Sequence, residues 1–298
     1  MNRKAFICII LGAILWGTIS WYVKNLYALG FTAMEVVLIR ALTSSIILVV
    51  MMCFYSRKEL KLHKWTDLKY FIGTGVISII FFNYSLFKAM ELSTIPIASA
   101  LLYTAPAFVT ILSLFLFQEK LTKHKLIALV ITLIGICFVV GLSPFEISSV
   151  TPMSILFGLG AGFGYALYSI FSKFALQTYS SLTITTYTFL IASLTLLPFF
   201  SIEKLPLLLQ KEVLFYGFGL GLFPTAVAYM IYTIGLQYTE ASKASILTTI
   251  EPVVATLIGI FIFQEPFSFI QMVGMICILS AVILIHYSST EKTERLPQ

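Results

Sequence analysis

Apolar residues run through this chain in long stretches, parted by short turns that carry Gly, Pro, Ser or charge. A helix needs about 20 apolar residues to cross the hydrocarbon of a bilayer, and the stretches have that length. Ten spans are predicted. The first five lie at about 5–23, 33–54, 68–90, 94–117 and 124–142, and the next five at about 153–176, 182–200, 212–236, 240–263 and 267–287. No soluble domain or low-complexity segment interrupts the series. Only the closing SSTEKTERLPQ reads as a disordered tail.

One stretch occurs twice. Leu101 to Lys120, LLYTAPAFVTILSLFLFQEK, returns as Leu247 to Pro266, LTTIEPVVATLIGIFIFQEP. Pro106 matches Pro252, Gln118 matches Gln264 and Glu119 matches Glu265, all at an offset of 146 residues. A gap-free match with a shared internal proline and a shared Phe-Gln-Glu end points to duplication, which hydrophobic composition alone would not produce. The halves are residues 1–145 and 146–298, with five spans each. Five is odd, so the second half enters the membrane from the opposite side to the first. The predicted fold is an all-α integral membrane protein, ten transmembrane helices in two inverted five-helix repeats.

Composition sharpens this picture. The chain has 298 residues, 59% hydrophobic and 11% charged, with a mean hydropathy of +0.99. Soluble domains carry about 25% charged residues. The net charge of +6 reads as orientation, not as nucleic-acid binding, because the basic residues sit in the turns. If both termini are cytoplasmic, fourteen Lys and Arg fall on the inner side, from Arg3 and Lys4 to Lys292 and Arg295. Four fall outside, Lys24, Lys88, Lys204 and Lys211, and Arg40 is left within a span. That asymmetry sets the orientation. Arg3 and Lys4 before an apolar run imitate a secretory signal, but no small-x-small site follows, so a retained first helix is predicted. Cys8, Cys53, Cys137 and Cys277 are scattered among the spans, without the clustering a metal site needs. They read as lipid-facing or packing residues, and neither a metal nor a cofactor is expected.

Candidate chemistry is sparse. Glu251 is the one acidic residue deep within a span, where a charge costs several kcal/mol unless it faces a cavity or a partner. A site for an amine or a proton is one reading; a glutamate shaping the kink at Pro252 is the other. Pro106 and Pro252 interrupt two helices at equivalent positions, the sequence pattern of a midplane site between repeats, and are read as hinges. Among the aromatics with polar handles, Tyr165, Tyr168 and Tyr232 are noted. The preferred cavity-lining set is Trp16, Asn83, Tyr84, Tyr103 and Tyr229, because each falls well inside its span. Aromatic walls with one carboxylate suit a cationic or zwitterionic solute. Arg40 is expected to pair with Glu35 or to snorkel to the outer interface, with a role toward a substrate carboxylate the lesser reading. The glycines of GLGAGFGYA, residues 158–166, read as close helix packing. No metalloprotease, nucleophile-elbow or P-loop motif is present, and no catalytic pair lies at depth, so an enzyme is not expected.

Trp16-Gly17 in span one, Arg40 in span two, Ala105-Pro106 through Glu119 and Glu251-Pro252 through Glu265 together resemble the drug/metabolite transporter superfamily. The resemblance is to its EamA-type ten-helix bacterial members and covers essentially the whole chain. It implies an inverted-repeat carrier of the bacterial inner membrane that works by alternating access. The function it suggests is movement of a small amine-bearing metabolite, an amino acid or relative, as an exporter. An importer of a quaternary amine or nucleoside-like solute, and a lipid-handling protein that moves no solute, remain open. The expected partners are a small-molecule substrate and the lipid bilayer, with protons as a candidate coupling ion. No nucleic acid is expected, and the assembly is a monomer or homodimer.

Overall fold

The computed structural model describes residues 2–141 and 150–294, with side chains to 287. Every regular element among them is helical. The first half is α1 (Arg3–Gly17), α2 (Ile19–Ala28), α3 (Ala33–Tyr55), α4 (Leu68–Ile72), α5 (Phe81–Leu92), α6 (Ile95–Leu102), α7 (Ala105–Leu116) and α8 (Lys123–Val139). The second half is α9 (Pro152–Ala175), α10 (Ser181–Leu196), α11 (Lys211–Gly221), α12 (Ala228–Gln237), α13 (Ala241–Leu247), α14 (Ile250–Phe263) and α15 (Phe269–Glu294).

Joined across their breaks, these give nine helices among the described residues that are long and apolar enough to cross a membrane. The stretch expected at 124–142 is α8, whose 17 residues reach only about 26 Å at ~1.5 Å per residue. Helix α15 continues to Glu294, past the start of the expected tail. Residues 295–298 lie outside the described residues.

The broken helices follow from proline chemistry. Pro106 and Pro252 have no N–H to donate four residues back, so α6 ends at Leu102 and α13 at Leu247, and a new helix starts after each break. Threonine hydroxyls take up the loosened carbonyls. Thr104 donates to Leu101 O at 2.6 Å, Thr248 to Ser245 O at 2.8 Å and Thr249 to Ile246 O at 2.6 Å. The duplication extends to the far ends of α7 and α14. Gln118 and Gln264 both have φ 54°, a left-handed conformation uncommon outside glycine. The next residue then bonds back six positions, Glu119 N to Ser113 O at 3.1 Å and Glu265 N to Gly259 O at 3.0 Å.

A second pair of irregularities was not legible in the sequence. Residues Gly73–Ile80, between α4 and α5, and Leu222–Val227, between α11 and α12, are both π-helical. Pro224 supplies a cause in the second half. The first half reaches the same local widening with Ser78 at the matching position.

Helix α1 packs against α12 and α14, α9 against α5, α6 and α7, and α3 against α10 and α11. Helices α8 and α15 pair chiefly with each other, to one side. Two glycines let helices meet at the breaks. A Cβ at Gly17 would stand 2.9 Å from the Glu251 carbonyl and 2.5 Å from Val254 Cβ. One at Gly162 would stand 2.8 Å from Leu101 O and 2.7 Å from Thr104 Oγ1. The glycine run of α9 thus packs as expected.

Candidate functional site

Both helix breaks border a cavity of about 370 Å³, within the usual size range for a small-molecule site. Trp16, Asn83, Tyr103, Tyr229 and Glu251 line it, together with Arg40 and Tyr165. It extends to the end of the bundle where Tyr27 and Ile95 are exposed, its mouth, and Lys24, Ala33 and Met90 also line it there. At its other end an aromatic cluster forms a floor. Trp16 lies 4.8 Å from Tyr229 and 5.0 Å from Tyr232, ring to ring, and Tyr168 lies 4.8 Å from Tyr229. Hydroxyl pairs tie that floor together, Tyr168 with Thr233 at 2.9 Å and Ser169 with Tyr232 at 2.6 Å.

Glu251 stands in the first turn of α14, where the helix dipole favours a negative charge. Its two oxygens take separate donors, Tyr165 Oη at 3.0 Å and Tyr103 Oη at 3.4 Å. The break before Pro252 turns the carboxylate into the cavity in place of the helix–helix interface. The glutamate and the kink are therefore parts of one feature.

Five of the six candidate lining residues come together as expected. Tyr84 does not. It is 46% exposed and its ring meets Phe157 at 6.3 Å. Successive helix residues point about 100° apart, so with Asn83 turned inward Tyr84 faces out. Asn83 donates to Ile79 O at 2.7 Å within its own helix. Of the two prolines, Pro252 is buried beside Glu251, while Pro106 borders a small space behind Trp16 and Tyr165.

The expectations for Arg40 are corrected. It does not pair with Glu35, which accepts from Lys204 Nζ at 2.7 Å and from Thr32 N at 2.7 Å. Nor does it snorkel, being only 5% exposed. Two further residues emerge only from the structure. Tyr165, outside the expected lining set, makes the shorter bond to Glu251. Glu119, in sequence only the end of the repeat, joins the two halves. It accepts from Ala241 N at 2.6 Å, from Ser242 N at 3.2 Å and from the Ser242 hydroxyl, capping the start of α13.

That cap closes the end of the bundle opposite the cavity mouth. Lys125, buried to 2% exposure, lies 3.5 Å from Glu119 and 2.7 Å from Glu240. Partial burial pushes the Glu240 carboxyl up, but the ammonium groups of Lys125 and Lys243 outweigh it and hold the group below its ordinary 4.5. Lys173 donates to Leu236 O at 2.7 Å and Thr239 O at 2.5 Å, fastening the end of α12. At the mouth, the partner in the repeat behaves differently. Glu265 pairs with Lys24 on α2, and Thr94 caps the start of α6 through Ile97 N at 3.4 Å.

A family model described as the EamA-like transporter family matches the chain twice, over residues 3–141 and 152–287. An uncharacterized transporter of Archaeoglobus fulgidus is 30% identical over 278 residues, covering 93% of this chain and 94% of the relative. The uncharacterized transporter YetK of Bacillus subtilis is 28% identical over 83% of this chain and 76% of its own length. The uncharacterized inner membrane transporter YicL of Salmonella typhimurium is 22% identical over 98% of both chains. A crystal structure 16% identical in sequence superposes with a TM-score of 0.82, covering 98% of this chain and 99% of that one. At that identity it speaks for the fold alone.

Proposed function

From the membership of this chain in the EamA-like transporter family, and hence its place as a multi-pass membrane transporter of small molecules, we propose a specific activity. The chain moves an amine-bearing metabolite, an amino acid or close relative, across the bacterial inner membrane by alternating access, working as an exporter. The observation that carries the reading is Glu251, a carboxylate presented by a helix break into an aromatic-walled cavity and held by two tyrosine hydroxyls. A protonated amine gains there from charge pairing and from the faces of Trp16 and Tyr229.

Alternating access is supported by the contrast between the two ends of the bundle, one open at the cavity mouth and one sealed by Glu119. With both termini in the cytoplasm, as the distribution of basic residues favours, the mouth faces outward and the seal faces inward. The two halves then act as inverted repeats about a fixed central site, bending at Pro106 and Pro252. The description of the Salmonella relative as an inner membrane transporter supports the location.

The test is counterflow in proteoliposomes, with the solute first found by a thermal-shift screen of amino acids, polyamines, choline and nucleosides. A ligand that binds the folded state raises its melting temperature. Glu251→Gln should insert and fold normally and lose most counterflow, roughly tenfold or more if one charge-assisted bond worth ~1.5–3 kcal/mol goes. Full counterflow by that variant removes Glu251 from the mechanism. Repeating the assay in vesicles of known orientation, with and without a pH gradient, decides direction and proton coupling.

A further inference from the structure

Arg40 lines the cavity with no acid in direct contact among the described residues. Its side chain is 5% exposed, two turns into α3 from the mouth. None of the ion pairs among the described residues includes it. Its one hydrogen bond is long, Nη2 to Tyr229 Oη at 3.5 Å, and its Nε is buried without an acceptor. A guanidinium stays charged in proteins and presents five donors in a planar fork. A buried charge left unpaired is strongly unfavourable, above all at membrane depth. Glu35, the acid nearest in sequence on α3, is already held by Lys204 and Thr32. Glu251, the acid that shares the cavity, takes its direct hydrogen bonds from Tyr103 and Tyr165 and meets the Arg40 charge only through space.

A second orphaned donor points to the same place. Trp16 Nε1 is buried without an acceptor and belongs to the same cavity wall. Tyr229 touches both groups, with the Arg40 guanidinium 5.9 Å from its ring and the Trp16 ring at 4.8 Å. The cavity therefore has two poles. One is the Glu251 carboxylate beside Tyr103 and Tyr165. The other gathers N–H donors around Tyr229, whose hydroxyl meets Arg40 only at 3.5 Å and leaves Arg40 Nε and Trp16 Nε1 without an acceptor.

We propose that Arg40 and Trp16 receive a carboxylate on the same solute whose amine meets Glu251, so that the site selects zwitterions over simple amines. This rests on the reading of Glu251 as the amine partner, and it adds that the amine alone is insufficient. A carboxylate fits the planar fork with two parallel bonds, and the indole N–H supplies a third donor.

The experiment uses the full chain in lipid nanodiscs and matched probes. These are L-leucine, L-leucinamide and isopentylamine, with L-phenylalanine, L-phenylalaninamide and phenethylamine as a larger set, and the two deaminated acids. Binding is read as thermal shift against concentration. The wild-type chain should take one of the amino acids at concentrations at least tenfold below its amide and amine. In Arg40→Gln that preference should collapse to within about threefold, while amine binding persists. Arg40→Lys, which keeps the charge and loses the fork, should restore part of the preference. Equal binding of acid, amide and amine by the wild type overturns the proposal and leaves the role of Glu251 standing. Retention of the tenfold preference in Arg40→Gln overturns it as well. Binding of the deaminated acids as tightly as the amino acids removes Glu251 instead and keeps Arg40. Failure of every probe to bind the wild type overturns both.

Discussion

At the scale of single residues, the site turns on which way each side chain points. Tyr165 and Tyr84 are both tyrosines in mid-span, but only Tyr165 reaches Glu251, at 3.0 Å. Tyr165→Phe removes that bond and should weaken solute binding about tenfold, the low end of a ~1.5–3 kcal/mol charge-assisted bond. Tyr84→Phe should change it less than twofold. Both are measured as Kd by titration in nanodiscs, and equal effects would mean that Tyr165 holds no functional carboxylate. Glu251, Trp16, Tyr103 and Tyr229 were legible in the sequence because depth in a span is a property of position. Facing is not such a property. Where nearly every residue of a span is apolar, little periodic pattern marks the inner face, so nothing in the sequence separates Tyr84 from its neighbour Asn83. The surroundings of Arg40 are hidden for a related reason. Glu35, five residues away on its own helix, looks like its partner until Lys204, 169 residues further along the chain than Glu35, is seen to take that acid.

At the scale of elements, the broken helices border the cavity and carry the proposed hinges. Prolines at an offset of 146 announced them in the sequence. The π-helical turns in the third and eighth spans, only one of which has a proline, were not announced. The contact that closes one end is also invisible in sequence, since Glu119 reaches 122 residues ahead to the first turn of α13. Glu119→Gln weakens three bonds to Ala241 and Ser242 at once. It should raise labelling of a cysteine placed at Ser245, buried just inside that seal, about tenfold in a chain whose native cysteines have been replaced. The readout is maleimide labelling from the side of the termini, and unchanged labelling would show that the cap does not hold the end shut. The neighbouring Glu240 adds a pH signature. Its folded value lies below 4.5, so its contribution is present where the unfolded group is ionised. That contribution fades only as pH falls through the lower, folded value. The difference in melting temperature between the wild type and Glu240→Gln should accordingly hold between pH 7 and 5 and shrink only in stronger acid.

At the scale of the whole molecule, the two halves share their breaks and the left-handed turns at Gln118 and Gln264, and yet they are not interchangeable. Glu251 is matched by Ala105, and Ser242 by Pro96. The second mismatch bears on timing. Where Glu119 finds two backbone N–H groups and a hydroxyl, the same reach by Glu265 toward α6 would find the N–H of Ile95, and a proline with none to give. Two doors with unequal latches do not swing at equal rates. The unloaded protein should rest for most of its cycle in the arrangement seen here, and its return without cargo should be the slowest step. Swapping labelled for unlabelled solute avoids that return, so homo-exchange in proteoliposomes should outpace one-way flux by at least the roughly tenfold that either of the two missing bonds, N–H and hydroxyl, is worth. Equal rates would mean that the missing N–H of Pro96 leaves the pace of the cycle unchanged.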